Sequence, residues 1–285
     1  MEFEKVAILG GGLLGGSLAL ALARQFPDTR VALWARRAET VAAARERGIQ
    51  GATGDMAEAV KGADLVVLST PVGAMATVLL AAQTAGLSRE ALITDVGSVK
   101  AAPHRLLQPL LERTGAKFIG SHPMAGSEQT GIGAADESLF DGAACLLTDD
   151  DRVGEPWTGK IQRFWEALGC RVSWLKAAGH DALVARISHF PHLIAAAAAK
   201  VALENPADGN FGGGGLRDTT RVAGGDPTMW AEIVMENRDA LRDVLGHGIR
   251  EMSEMLAMLE ACDHEALRRW LEDAKIARDA SIRRD

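Results

Sequence analysis

The first twenty-five residues constrain the fold of this chain more than any other stretch. Lys5 to Leu9 (KVAIL) is a short apolar run with the look of a buried strand, and it leads directly into Gly10-Gly11-Gly12-Leu13-Leu14-Gly15. An Ala- and Leu-rich stretch, Ser17 to Arg24, follows and reads as helix. Strand, glycine turn and helix in that order satisfy G-x-G-x-x-G in the context that gives the motif its meaning. Gly10 allows the tight turn, and Gly12 lets backbone N–H groups approach a pyrophosphate. Gly15 lets the helix pack on the strand, and Leu13 and Leu14 fill the turn between them, so all five belong to a dinucleotide-binding element. The run from Val6 to Ala23 is uncharged, but it contains five glycines and follows Glu2 and Glu4. It therefore reads neither as a signal sequence nor as a membrane span.

The alternation continues. Val31-Ala32-Leu33-Trp34 is the next strand, and its end is where an NAD-binding domain usually places an Asp or Glu for the ribose 2′-hydroxyl. Here that place holds Ala35, followed by Arg36 and Arg37. Guanidinium groups bind a 2′-phosphate and the repelling carboxylate is missing, so the residues favour NADP. NAD stays open, because arginines at the start of a helix (Glu39 to Glu46) are also ordinary solvated side chains. Asp64 to Ser69, a helix from Gly73 to Thr84, and Ala91 to Asp95 complete further βα units of a parallel, doubly wound sheet. In such sheets ligands sit at the carboxyl ends of the strands, which makes Ser69-Thr70-Pro71 and the loop Asp95 to Lys100 candidate site segments. Lys117 to Gly120 reads as a fifth strand, so Gly120-Ser121-His122-Pro123-Met124-Ala125-Gly126 emerges from the same edge. A histidine fixed against proline at that edge is a candidate catalytic group rather than part of a surface loop.

With 285 residues, 47% of them hydrophobic, the chain can build two cores. A net charge of −7 argues against nucleic acid as the main partner, and a small-molecule substrate fits better. Cys145, Cys170 and Cys262 lie far apart with no C-x-x-C pair, which suggests neither a zinc site nor a disulfide framework and makes a reducing cytoplasm the default location. Ala143 to Thr148 and Cys170 to Leu175 read as two more strands, separated by a helix from Trp157 to Leu168. The first domain then closes near Lys176, giving a dinucleotide-binding domain over 1–176 and a helical domain over 177–285. Helix is expected from about Gly179 to Glu204. After the glycines 212–215, Asp226-Pro227 supplies an N-cap and a proline at the first helical position. Apolar residues then recur from Trp230 to Leu259 as one long amphipathic helix of roughly 50 Å at about 1.5 Å per residue, more than one small domain needs. Part of its stripe is expected to bury against a second copy, as a homodimer.

The later motifs resemble something specific. The order GxGxxG, Asp95-Val-Gly-Ser-Val-Lys, Gly-Ser-His122-Pro-Met-Ala-Gly, Ser188-His-Phe-Pro-His192, Arg217-Asp-Thr-Thr-Arg221-Val-Ala and Asp226-Pro-Thr-Met-Trp230 resembles the prephenate/arogenate dehydrogenase family over nearly the whole chain. The resemblance implies a Rossmann-type domain followed by an all-helical dimerisation domain. It also implies oxidative decarboxylation of prephenate or arogenate with NAD(P), yielding 4-hydroxyphenylpyruvate or tyrosine in tyrosine biosynthesis. By resemblance, His122 is the catalytic histidine, accepting the proton of the ring hydroxyl as hydride leaves. Ser98 would orient His122 or the substrate hydroxyl; otherwise it is a turn serine. Arg221 would grip the ring carboxylate. That group leaves as neutral carbon dioxide and loses charge in the transition state, so Arg221 should govern binding more than chemistry. Ser188 and His192, four apart on a helix, would share a face toward the substrate, and Glu128 and Trp230 would line the pocket. His189 and His192 lack a third ligand, and hydride transfer needs no metal. A β-hydroxyacid dehydrogenase shares only the glycine loop and the helical second half, and a cofactor-binding sensor without turnover would not need both His122 and Arg221.

Overall fold

The computed structural model describes residues 2–126 and 129–282. Strand β1 (Lys5–Leu9) runs buried into the glycine turn and on to helix α1 (Leu13–Gln25). There follow β2 (Arg30–Trp34), α2 (Ala38–Glu46), β3 (Ala52–Thr53), α3 (Met56–Val60), β4 (Leu65–Leu68), α4 (Val72–Thr84), β5 (Leu92–Asp95), α5 (Ala101–Thr114) and β6 (Lys117–Phe118). These strands form one parallel sheet in the order β3-β2-β1-β4-β5-β6. The period of two divides their side chains between two cores. Val6, Ile8, Leu33, Leu65 and Val67 meet Leu18 and Leu22 of α1 on one face. Ala7, Leu9, Val66, Leu68 and Ile93 meet Met75 and Leu79 of α4 and Leu107 of α5 on the other. Strand order reverses between β1 and β4, which opens a crevice at their carboxyl ends.

The expected strand Lys117 to Gly120 is two strands in two sheets. The N–H of Ile119 donates to the Ile93 carbonyl (3.0 Å), continuing the ladder just past β6. The next strand, β7 (Gly120–Pro123), contains His122 and joins β8 (Ala144–Thr148) and β9 (Arg171–Leu175) in a separate three-stranded sheet. β7 and β8 are antiparallel, with His122 opposite Leu146, and β8 and β9 are parallel. The switch occurs because β5 ends at Asp95, whose carboxylate rather than a backbone carbonyl takes the Ser121 N–H (3.2 Å). His122 is therefore on a buried strand and not on a glycine-rich loop. Helix α6 (Trp157–Ala167) packs Ile161, Phe164 and Trp165 into the core between β8 and β9.

Beyond β9 the described chain is helical: α7 (Ala177–Val184), a π turn (Ala185–His189), α8 (Phe190–Ala202), α9 (Gly214–Thr220), a 3₁₀ turn (Arg221–Gly224) and α10 (Pro227–Glu236). Ala177–Ala202 is long and apolar enough to cross a membrane by length and composition. It nevertheless carries buried His180, Asp181, His189 and His192. Asp226 caps α10 through the Met229 N–H (2.8 Å), with Pro227 in the first turn, as the sequence suggested. The long amphipathic helix expected from there to Leu259 is broken. Asn237 leaves helical geometry at φ −106°, ψ 20°, and helix α11 (Arg238–Glu260) starts anew. The reason is polar: the Asn237 side chain is drawn inward and buried, bonding Asp181 and His189.

The chain divides into two compact units, Met1–Arg238 and Asp239–Asp285. The second contains nearly all of α11 and α12 (His264–Ile282), tied by Trp270 Nε1 donating to Glu251 (2.9 Å). On it Ile249, Met252, Leu256, Leu259, Leu271 and Ile276 are all more than half exposed.

Candidate active site

The glycine turn and the β4–α4 loop are built against each other. Gly10 has φ +131°, and a side chain there would strike the Ser69 carbonyl. A side chain at Gly15 would strike the Gly10 carbonyl and the Ser69 hydroxyl, so α1 can approach β1 only with glycine at that point. Above Gly12, in contrast, a Cβ would meet nothing within 4 Å. The first N–H groups of α1, opening at Leu13 and Leu14, lack a side-chain cap. That is a cradle for an anion at a helix N-terminus. The adjoining Thr70 hydroxyl is buried with no partner among the described residues, a group left for a ligand, and Pro71 beside it precedes α4. These features fit a dinucleotide, with Ser69, Thr70 and Pro71 opposite the turn. At the end of β2, Ala35 is buried, while Arg36 and Arg37 are exposed and form no ion pair among the described residues.

The second half of the site is organised around a directional hydrogen-bond chain. His122 Nδ1 lies 2.8 Å from His180 Nε2, and His180 Nδ1 lies 2.8 Å from Asp181 Oδ1. An ionised carboxylate only accepts, so His180 Nδ1 is the donor and Nε2 of the neutral ring is an acceptor. The proton on His122 is then on Nδ1, which leaves Nε2 with a bare lone pair and no partner among the described residues. The Asp181 carboxylate is held by the N–H of Lys100 (2.7 Å) and of Ala101 (3.0 Å). Burial pushes its pKa up, but the bonds from His180 and from those two N–H groups more than offset this, leaving it below the usual aspartate value. His122 is held well below the usual histidine value by burial first, then by the neighbouring His180, Lys100 and His189. It is an uncharged base at neutral pH.

Two further histidines adjoin this chain. His189, from the π turn, accepts at Nδ1 from the Asn237 amide N–H (3.1 Å), and Asn237 also donates to the Asp181 carbonyl (2.8 Å). Burial takes the His189 pKa down to about 4. His192 stacks flat on Trp230, with ring centroids 3.5 Å apart and planes 12° from parallel, while His189 meets the same indole edge-on. Burial lowers the pKa of His192 too. His189 Nε2 and His192 Nδ1 are buried with no partner among the described residues, two polar atoms available to a ligand.

Beneath His122, Lys100 is completely buried. Its ammonium bonds Asp95 Oδ2 and donates to the Ser121 carbonyl (2.7 Å). The Ser121 hydroxyl in turn bonds Thr94 (2.7 Å) and Trp165 Nε1 (3.0 Å).

Of the residues expected from sequence, the structure brings His192 together with Trp230, and joins His122 to both through His180, Asp181, the Asn237 amide and His189. Ser98 lies half-buried in the β5–α5 loop, but the partner of His122 Nδ1 is His180. Ser188 is half-buried in the π turn, where the buried neighbour is His189. Arg221 is exposed at the start of the 3₁₀ turn that packs against α8. Glu128 lies outside the described residues. His180, Asp181, Asn237 and the buried role of Lys100 were not anticipated. Their signal is an adjacent His-Asp pair at the head of an otherwise apolar helix, since charged groups are seldom buried unless paired.

Comparison with known proteins finds relatives over nearly the whole chain. A family model described as prephenate dehydrogenase, nucleotide-binding domain, matches residues 18–174, and one described as prephenate dehydrogenase, dimerization domain, matches 176–273. The prephenate dehydrogenase of Bacillus subtilis is 33% identical over 281 residues, covering 97% of this chain and 76% of that protein. Among solved structures, prephenate dehydrogenase from A. aeolicus in complex with hydroxyphenyl propionate and NAD+ superposes with a TM-score of 0.88 at 28% identity, covering 98% and 99% of the two chains. Synechocystis arogenate dehydrogenase does so with a TM-score of 0.78 at 29% identity, covering 98% and 100%. With both halves matched in sequence and the whole superposable in structure, this chain belongs to the prephenate dehydrogenase family.

Proposed function

We propose that this NAD(P)-dependent oxidoreductase performs the oxidative decarboxylation of prephenate or arogenate in tyrosine biosynthesis, with His122 as its proton acceptor. The observation that carries the assignment to His122 is the Asp181–His180–His122 chain, whose donor–acceptor sense leaves the His122 Nε2 lone pair free. The bound dinucleotide supplies the hydride acceptor. His122 takes the proton of the ring hydroxyl as the carbon–hydrogen electron pair departs, and returns it to the phenolate oxygen once carbon dioxide has left and the ring is aromatic. Protonation of His122 at Nε2 spreads charge toward His180 and the Asp181 carboxylate, which stabilises the imidazolium as it forms. Ser98 orients the reacting hydroxyl. Arg221 binds the ring carboxylate, while Ser188, His192, Trp230 and Glu128 surround the remainder of the substrate.

Gly10, Gly12, Leu13, Leu14, Gly15, Ser69, Thr70 and Pro71 hold the dinucleotide. We read NADP as the preferred form, supported by Ala35 in place of an acid and by the exposed guanidinium groups of Arg36 and Arg37, which form no ion pair among the described residues. Residues 1–176 serve as the cofactor domain and 177–285 as the substrate and dimerisation domain. A second copy of the chain is the partner, supported by the dimerization-domain match and by the apolar side chains exposed on α11 and α12. The working location is the cytoplasm, which suits three free cysteines. The deciding experiment is a matrix of prephenate and arogenate against NAD and NADP, ranked by kcat/KM. No turnover in any cell would remove the assignment, and an equal or higher value with NAD would remove the NADP preference.

A further inference from the structure

We propose that Lys100 is a positioning residue for His122: its buried ammonium fixes the strand that carries the base and keeps a positive charge beneath the imidazole, so that His122 stays uncharged. The proposal rests on His122 being the proton acceptor. Its first support is the grip on Ser121, the residue immediately before His122. The Lys100 ammonium donates to the Ser121 carbonyl (2.7 Å), while Asp95, its ion-pair partner, takes the Ser121 N–H (3.2 Å). Both backbone polar groups of Ser121 are thus held by one buried ion pair. This is the point where the chain leaves the parallel sheet for β7, so nothing from the β5 backbone is left to hold it.

The second support is that Lys100 also fixes the far end of the relay. Its backbone N–H donates to Asp181 Oδ1, the same oxygen that orients His180. One residue therefore joins β5, β7 and α7 around His122. The third is charge. The titratable and charged groups packed around His122 are His180 and Asp181 from α7, His189 from the π turn, Asp95 and Lys100 from the β5–α5 junction, and Cys145 from β8. Burial drives the Cys145 thiol up, so it is uncharged. Lys100 is the cation of this set, and its field acts against protonation of both His122 and His180. A buried ion pair is a costly way to hold a strand that a backbone bond or an apolar contact could hold instead. Its charge serves a second purpose here.

The test is the pH profile of kcat/KM, whose acid limb reports the base in the free enzyme. In Lys100→Gln the positive charge is gone, and the limb should move to higher pH by about one unit, the scale expected of a unit charge near a protein interior site. The NMR titration of the His122 Cε1–H should move by the same amount. Lys100→Arg keeps the charge and should keep the limb. Because Lys100→Gln leaves Asp95 unpaired, Asp95→Asn/Lys100→Gln is measured beside it; it removes the pair together and is expected to stay folded. Its limb should also rise. A folded double variant with lowered kcat and an unmoved limb overturns the proposal and leaves Lys100 a packing residue. His122→Asn distinguishes the two readings: if it retains full activity, the base assignment itself fails, whatever Lys100 does.

Discussion

The side-chain amide of Asn237 donates to the main-chain carbonyl of Asp181, 56 residues earlier, and the same amide reaches His189 at 3.1 Å. This bond interrupts what would otherwise be one helix and fastens α10, with Trp230 on it, to the helix that supplies the relay. Asn237→Leu keeps the volume but leaves the buried His189 Nδ1 without its donor, at about 1–3 kcal/mol, while the Asp181 carbonyl keeps the Ala185 N–H. We expect the melting temperature to fall by about 3–10 °C. KM for the substrate should rise as the His189–Trp230 contact loosens. An unchanged melting temperature would mean that the amide is dispensable.

His122→Asn should lower kcat by about 10²–10⁴-fold, the usual worth of a positioned base. Cofactor affinity, measured by nicotinamide fluorescence titration, should stay within about twofold of the parent, since the glycine cradle is untouched. Loss of cofactor binding in parallel with kcat would point to a damaged fold instead.

Acid should destabilise this protein earlier than its carboxylates alone require. His189 titrates at about 4 in the folded state against an ordinary value of 6.5. The unfolded chain therefore binds more protons between those values, and stability falls as pH drops from about 6.5 toward 4. Below 4 this contribution is flat. Calorimetry across pH 8 to 4 should show the decline, and His189→Gln should reduce its slope; an identical slope in the variant would exclude His189 as its source.

Arg221→Gln should raise KM by about 10- to 100-fold, the worth of a charge-assisted bond, with kcat changed by less than about threefold. A carboxylate that leaves as neutral carbon dioxide is held more tightly before the transition state than in it. A large fall in kcat at unchanged KM would contradict this role.

What could be read in advance follows from the range of the interactions. The glycine turn, the apolar runs of β1, β4 and β5 and the Asp226-Pro227 helix start depend on neighbours in sequence, and they stand where the pattern put them. Strand β3 has two residues and α3 five, too short to carry a period. The assignment of Gly120 to the first sheet failed because sheet membership is decided by a partner, and Thr148 lies 28 residues on. His122 was legible from its setting, whereas His180 and Asp181 were not, because their meaning depends on a strand 58 residues away. Asn237 resembled any polar residue on the outer side of a helix until its two distant partners were known.

The π turn at Ala185–His189 sets the rotational phase of the pocket. At roughly 100° per residue, an uninterrupted α-helix would set His192 about 120° around the axis from His180. One residue absorbed by a wider turn brings the two to roughly 20° of each other. The site is consequently sensitive to counting as well as to chemistry. Inserting a single residue between Ala185 and His189 that the wide turn cannot absorb would swing the His192–Trp230 stack by about 100° from the relay. Removing one, even the exposed Ile187, would instead let the α-helix run unbroken with the two histidines still at roughly 20° of each other.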